Sequence, residues 1–275
     1  MSGAMEALMP APRDPVFRRR LISALILGPL AVVLLYVGDL AFTAWVAAFA
    51  AAMAWEWIHM SDRDAPPVAY AIACATASGT VLLAGQTSVM DALAWGAAGT
   101  LASGIERWRR GWSSEVLGVL YVSLSAALLA AMRAEPDHGL KAVILLFAVV
   151  WAADSLAYLV GTWIGGPKLL PQASPKKTWS GFLAGILAGA AAGLAAGYLF
   201  GLEPIRVLPF AVLVALASVG GDLAMSVFKR SFGVKDSGTL IPGHGGVLDR
   251  VDALMLAVIA AVLSARLWPL GWALS

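Results

Sequence analysis

Two small groups of polar and charged side chains flank one glycine-rich loop near the end of the chain. Asp222, Ser226 and Lys229 are spaced i, i+4 and i+7, so on a helix they share one face. Asp249 and Asp252 follow the loop at i, i+3 and also share a face. Carboxylates beside lysines suit a hard divalent cation that holds phosphates, because magnesium binds through one or two carboxylates plus phosphate oxygens. The alternative is a set of salt bridges that only stabilises the fold.

The loop itself carries residues that suit a phosphate. Gly245 and Gly246 would let the backbone approach an anion closely and present N–H groups to it. His244 would contact the phosphate or cap a helix, although a single loop histidine is more often structural. We therefore include all three among the candidate substrate-binding residues.

A second loop upstream has the same character. It reads Ser174-Pro-Lys176-Lys177-Thr-Trp, and the two lysines immediately precede an apolar helix. The N-terminal amides of a helix also attract anions, so this loop is a second candidate phosphate site. The alternative is that these lysines only anchor the helix on the cytoplasmic side of a membrane.

Composition indicates an integral membrane protein. The 275 residues are 60% hydrophobic and only 13% charged, and the mean hydropathy is +0.81. The single cysteine excludes an internal disulfide. Basic residues are distributed as membrane topology requires, so nucleic-acid binding has no support. The alanine-rich composition indicates a bacterial source and hence the inner (cytoplasmic) membrane.

Apolar runs predict an all-α, polytopic fold with about nine transmembrane helices, because only helices satisfy their own backbone within lipid. The chain is predicted to be one membrane-embedded domain, residues 1–275, with a cytoplasmic segment at 1–20 and a catalytic core region at 140–275. An arginine triplet before the first run also fits a signal peptide, but the run is long and lacks a cleavage site. The predicted spans are 21–37, 40–59, 67–85, 89–105, 116–132, 140–162, 179–200, 206–228 and 251–268.

The lysines and arginines orient these spans. With a cytoplasmic N-terminus, fifteen of the 19 basic residues fall on the cytoplasmic side. Only Arg133, Lys141, Arg206 and Arg266 fall outside. The two long loops, 163–178 and 229–250, are then both cytoplasmic, where they would meet a soluble anionic substrate.

Three features lie inside the apolar runs. Asp154 is an intramembrane carboxylate, which is costly and usually faces a partner or a cavity. Glu56 lies near the cytoplasmic end of the second run, where we expect an interfacial or structural role. Glycines recur at every fourth position from 181 to 197 and predict close helix packing, within one protomer or between two.

The loop motif resembles that of the phosphatidate cytidylyltransferases, also called CDP-diacylglycerol synthases. The matching positions are Ser226, Lys229, Arg230, Lys235, Asp236, Pro242, His244, Gly245, Gly246, Asp249, Arg250 and Asp252. Segments 154–161 and 174–179 are similar to two further patches of that family. The resemblance covers most of the chain and is sharpest over the last 125 residues.

The resemblance implies that CTP and phosphatidic acid react to give CDP-diacylglycerol and pyrophosphate. It also implies a multi-span helical fold, dependence on Mg²⁺ with K⁺ as a second ion, and a homodimer. On this reading Asp222, Asp249 and Asp252 hold the metal, and Ser226 and Lys229 act beside them. The predicted substrate-binding residues are Asp154, Ser174, Lys176, Lys177, Arg230, Lys235, His244, Gly245, Gly246 and Arg250.

Two other functions fit part of the pattern. A CTP-dependent lipid kinase would use a similar site but release CDP instead of pyrophosphate. A transporter would use Asp154 as an ion relay, although transporters usually place their site near the midplane between repeated halves. Here the charges cluster at the cytoplasmic boundary, which favours the cytidylyltransferase.

Overall fold

Long helices follow the apolar runs of the sequence. A computed structural model describes residues 15–107, 113–243 and 245–270, which contain nine helices and one two-stranded hairpin. The helices are α1 (Pro15–Val37), α2 (Asp39–Ser61), α3 (Pro67–Gln86), α4 (Val89–Arg107), α5 (Ser113–Ala134), α6 (Gly139–Trp163), α7 (Trp179–Leu199), α8 (Pro204–Ser231) and α9 (Leu248–Leu267). Most of the predicted cytoplasmic segment 1–20, and His244, lie outside the described residues.

The helical, multi-pass character of the protein is confirmed. Among the described residues, six helices are long and apolar enough to cross a membrane: α2, α3, α5, α6, α7 and α8. The apolar part of α1 that qualifies is shorter, Leu25–Val37. Charged residues in the first turns of α4 and α9 make these two helices less apolar. The structure therefore supports at least six spans and leaves the figure of nine as a prediction.

The loop between α6 and α7 is not wholly irregular. It forms an antiparallel hairpin of β1 (Lys168–Leu170) and β2 (Ser174–Thr178). The prediction of helices concerned the membrane-spanning segments and did not include this short hairpin. The hairpin lies between two apolar runs, so the rule that lipid permits only helices does not apply to it. Strand β2 leads directly into α7, and Thr178 caps that helix by accepting a hydrogen bond from the Gly181 N–H at 3.2 Å.

The glycine ridge of α7 packs within one protomer. Gly181 and Gly185 face backbone carbonyl groups of α6, whereas Gly193 and Gly197 face side chains of α8. A β-carbon at Gly185 would come within 2.9 Å of the Ala153 carbonyl oxygen. Hydrogen in place of a side chain thus lets α6, α7 and α8 approach closely. This contact brings β2 and the end of α8 to the same edge of the molecule.

A buried tryptophan ties α2 to the end of α8. Trp57 is almost fully buried and packs edge-on against Phe228 and Phe232, with ring centroids 5.3 and 6.0 Å away. Its indole N–H donates to the Ser114 carbonyl of α5 at 2.9 Å. Gly118 provides the space for the ring, because a β-carbon there would overlap the indole. The C-terminal ends of α2 and α8 and the start of α5 are therefore held together.

We predict that Gly118→Ala destabilises the protein by about 1–3 kcal/mol, because the added methyl group has no room beside Trp57. Gly28→Ala in α1 is the matched control, since a β-carbon added at that position would meet nothing within 4 Å. Thermal unfolding in detergent measures both variants. Equal midpoints for the two would contradict this account of the packing.

Candidate active site

A buried ion pair joins the two groups of charged residues that the sequence placed on either side of the loop. The Lys229 ammonium lies 2.7 Å from Asp249 Oδ1 and 3.8 Å from Asp252 Oδ2. Lys229 comes from the last turn of α8, and both aspartates come from the first two turns of α9. All three side chains are largely withdrawn from solvent. The predicted shared face of α9 is therefore confirmed, and it points at Lys229.

The second lysine comes from the hairpin. Lys177 on β2 forms an ion pair with Asp222 of α8. The Ser226 hydroxyl approaches Asp222 Oδ1 at 3.5 Å, which is at the limit of a hydrogen bond. Asp154 of α6 and Asp252 both interact electrostatically with Asp222 and with Lys177.

Four elements thus contribute to one network in which lysines and carboxylates alternate. We call it the charge network and define it as Asp154, Lys177, Asp222, Lys229, Asp249 and Asp252. The network contains four carboxyl groups and two lysines, so each lysine faces more than one carboxyl group. An arrangement of this kind can exchange a carboxylate partner for a phosphate, or accept a cation between its carboxylates.

The loop before α9 uses its backbone in a different way from the one expected. The Gly245 N–H donates to the Ile241 carbonyl at 3.2 Å, and the Gly246 N–H donates to Asp249 Oδ2 at 3.3 Å. These amides therefore fold the loop and orient Asp249 instead of facing an open phosphate site. The Ser237 N–H donates to the same Asp249 oxygen at 2.9 Å.

Other predicted substrate-binding residues lie around the charge network. Lys176, Arg230, Lys235 and Arg250 are exposed, and Ser174 is half-buried at the start of β2. The Arg230 guanidinium reaches the Val234 carbonyl at 3.4 Å. Exposed cations near a site attract anions from solution, and the predicted binding of substrate by these residues stays a prediction.

An apolar cavity of about 400 Å³ adjoins the network. Helices α1, α2, α5, α6 and α9 line it, mostly with aliphatic and aromatic side chains such as Phe42 and Trp151. Asp154 and Arg250 supply its charged groups among the described residues. Asp154 therefore lines a cavity, as expected for an intramembrane carboxylate, although the residue is exposed.

The carboxylates of the charge network have donor atoms that suit a metal ion. Within residues 15–107, 113–243 and 245–270, no three histidine, cysteine, aspartate or glutamate side chains form a ready-made metal site. The oxygen donors nevertheless have the chemistry that Mg²⁺ prefers, and Asp222 and Asp252 lie close enough to interact. Magnesium usually completes its coordination with water and substrate phosphates, so two carboxylates are sufficient protein ligands.

Glu56 has a larger role than its sequence position indicated. Its carboxylate is fully buried, and it accepts hydrogen bonds from the N–H groups of Val247 and Leu248, both at 2.9 Å. The Ser237 hydroxyl donates to it at 3.2 Å. The structural role that we expected is confirmed, but the residue is buried and not interfacial. The available signal was a carboxylate within an apolar run, which requires internal partners.

Comparison with known proteins identifies the family. The family model described as "Cytidylyltransferase family" matches residues 18–268. The chain belongs to this family. It is 38% identical over 244 residues to a phosphatidate cytidylyltransferase of Brucella abortus, covering 86% of this chain and 89% of the relative. It is 37% identical over 272 residues to a phosphatidate cytidylyltransferase of Pseudomonas aeruginosa, covering 94% and 99%. The resemblance noted in the sequence is thus confirmed.

The two lysines of the charge network differ in burial, and we predict that they differ in their effect on stability. Lys229→Met leaves two buried carboxylates without their cation and lowers the free energy of unfolding by about 3–5 kcal/mol. Lys177→Met changes it by no more than about 1 kcal/mol, because Lys177 and Asp222 are each about a quarter exposed. Thermal unfolding in detergent compares the variants, and similar shifts would contradict the difference in burial.

Proposed function

We propose that this protein transfers the CMP group of CTP to phosphatidic acid, giving CDP-diacylglycerol and pyrophosphate for phospholipid biosynthesis. Full-length similarity to relatives named phosphatidate cytidylyltransferase carries the assignment. The charge network supports it, because lysines beside carboxylates suit a triphosphate. The adjoining apolar cavity suits the lipid that carries the second phosphate.

The reaction is a displacement at the α-phosphorus of CTP. An oxygen of the lipid phosphate forms a new bond to that phosphorus, while the bond to the bridging oxygen of the departing pyrophosphate breaks. The nucleophile is already an anion, so the site needs no strong general base. Catalysis then depends on alignment of the two phosphates and on neutralisation of their charge.

The residues of the network have distinct roles in this scheme. Lys177 and Lys229 neutralise phosphate oxygens after exchanging part of their carboxylate contacts for them. Lys176, Arg230 and Lys235 attract the triphosphate from solution, and Ser226 hydrogen-bonds a phosphate or a metal-bound group. Arg250 lines the apolar cavity and neutralises the lipid phosphate there.

Mg²⁺ is the proposed cofactor, and Asp222, Asp249 and Asp252 are its proposed ligands, with K⁺ as a second ion. When bound, the metal would neutralise phosphate oxygens of CTP. Asp249 already accepts three hydrogen bonds, from Lys229, Ser237 and Gly246. Asp222 and Asp252 are therefore the more available ligands, and Asp249 chiefly holds Lys229 in place.

The membrane arrangement belongs to the same proposal. We place nine helices across the bacterial inner membrane with the N-terminus, the hairpin and the loop before α9 in the cytoplasm, which agrees with the distribution of basic residues. CTP would then reach the network from the cytosol, and phosphatidic acid would reach it sideways from the bilayer through the apolar cavity. A homodimer is the expected assembly.

Purified protein in detergent, given CTP, phosphatidic acid and Mg²⁺, should release pyrophosphate and form CDP-diacylglycerol, detected by a coupled assay and by lipid mass. Asp249→Asn should lower turnover by about 100-fold or more, because Lys229 loses its charged partner, and the loss should persist when the assay is run well below the melting temperature of the variant. Asp91→Asn is the control, since that carboxylate is exposed at the start of α4 and contacts Ser88.

The products separate the alternatives. CDP together with a phosphorylated lipid would replace this function with that of a lipid kinase. A folded protein that consumes no CTP with any lipid or metal would reject nucleotide chemistry and return the transporter to consideration.

Chelation tests the metal separately. Removing divalent ions with EDTA should reduce turnover to background, and adding Mg²⁺ back should restore it, because the lysines alone cannot balance the charge of a triphosphate held beside several carboxylates. Undiminished turnover in EDTA would contradict the magnesium assignment without affecting the identity of the products. Replacing K⁺ by Na⁺ in the same assay tests the second ion.

A further inference from the structure

Glu56 is a fully buried carboxylate that belongs to α2, far along the chain from the loop that it contacts. It accepts three hydrogen bonds from that loop: the Val247 and Leu248 N–H groups bind one oxygen each, and the Ser237 hydroxyl binds Oε2. A buried carboxylate is costly unless its oxygens are satisfied, and here both are.

Glu56 acts as the N-terminal cap of α9 from another helix. Val247 occupies the N-cap position of α9, and its own side chain makes no capping hydrogen bond. The first N–H groups of any helix lack intrahelical acceptors, and a negative charge beside them is favourable. Glu56 meets both requirements, so the start of α9 is fixed relative to α2.

Ser237 connects this cap to the charge network. Its hydroxyl donates to Glu56, while its backbone N–H donates to Asp249 Oδ2 at 2.9 Å. Gly246 makes the matching contact from the other end of the loop, because its N–H donates to the same Asp249 oxygen at 3.3 Å. Asp249 in turn holds Lys229 at 2.7 Å. A continuous chain of contacts therefore runs from Glu56 to the buried lysine.

The loop leaves no spare volume around this carboxylate. A β-carbon at Gly238 would lie 2.7 Å from Glu56 Oε1, and one at Gly246 would lie 2.8 Å from Glu56 Oε2. The two glycines allow the loop to close around Glu56 from both sides. A small displacement of the carboxylate would therefore move the loop and the residues that orient Asp249.

We propose that Glu56 is a positioning residue for cytidylyl transfer: it holds the loop from Ser237 to Leu248 so that Asp249 presents Lys229 to the phosphates. The inference rests on the proposed function. A residue that only stabilises the fold would change the stability of the protein, whereas Glu56 is predicted to change the reaction rate of the folded enzyme.

Glu56→Gln is the main test, because it keeps the shape of the side chain but places an NH₂ group against donors. We expect kcat to fall by about 10- to 100-fold, since misplacement of a catalytic group by about 1 Å can cost that much. The KM for CTP should change much less, because the exposed lysines that attract the nucleotide are not displaced. Hydrogen exchange should become about tenfold faster at the amides of Val247 and Leu248.

Ser237→Ala is the milder second variant and removes only the hydroxyl contact with Glu56. It should lower kcat by a few-fold, and the double variant with Glu56→Gln should be less impaired than the product of the two single effects, because both break one chain of contacts. Glu203→Gln is the control: this exposed carboxylate pairs with Arg206 at the opposite end of α8. Its kcat should equal that of the unmodified protein.

Three results would overturn the proposal. Unchanged kcat in folded Glu56→Gln protein with a lowered melting temperature would reduce Glu56 to fold support. If the kcat losses of the two single variants multiply in the double variant, the proposed coupling through Ser237 is contradicted. Unchanged exchange at Val247 and Leu248 would reject the cap itself. This last measurement needs no substrate, so it tests the cap independently of the reaction. Failure of the proposed reaction would instead appear as an inactive unmodified protein.

Discussion

The burial of Lys229 constrains the rest of this structure. An ammonium group withdrawn from water needs carboxylate partners, and Asp249 and Asp252 supply them from the start of α9. Helix α9 must therefore begin beside the end of α8, although sixteen residues of loop separate the two helices. The loop leads back to α8 because its amides donate to the carboxylates of Glu56 and Asp249. The same hydrogen bonds therefore fold the loop and fix the position of Asp249.

The second lysine is placed by packing instead of by charge. Glycines along α7 let this helix lie against α6 and α8, and the hairpin that precedes α7 then brings Lys177 to Asp222. Because β2 passes into α7 without an intervening turn, the position of Lys177 follows the position of the helix. Precise placement of this ion pair thus depends on close contact among the apolar helices.

Much of this arrangement follows from the sequence. Apolar runs of membrane-spanning length predicted the helices, and i, i+3 and i, i+4 spacing predicted which charged residues share a face. The ion pairs did not follow from spacing, because whether Lys229 binds Asp249 or a phosphate depends on how two helices approach each other. The hairpin escaped prediction because three- and five-residue strands in a charged loop carry little periodic signal. The partners of Glu56 escaped prediction because they lie 181 to 192 residues away along the chain.

The occupied amides of the loop have a consequence for turnover. Gly245, Gly246, Val247 and Leu248 all direct their N–H groups to protein acceptors, so in the proposed reaction phosphate recognition falls mainly to lysine and arginine side chains. Lysine is a flexible point charge that senses charge density more than the shape of its ligand. Departing pyrophosphate carries much of the charge of the triphosphate, so in the proposed scheme the same side chains would hold it after the reaction. Pyrophosphate would then compete with fresh CTP, and net flux toward lipid would depend on how quickly the cell destroys pyrophosphate.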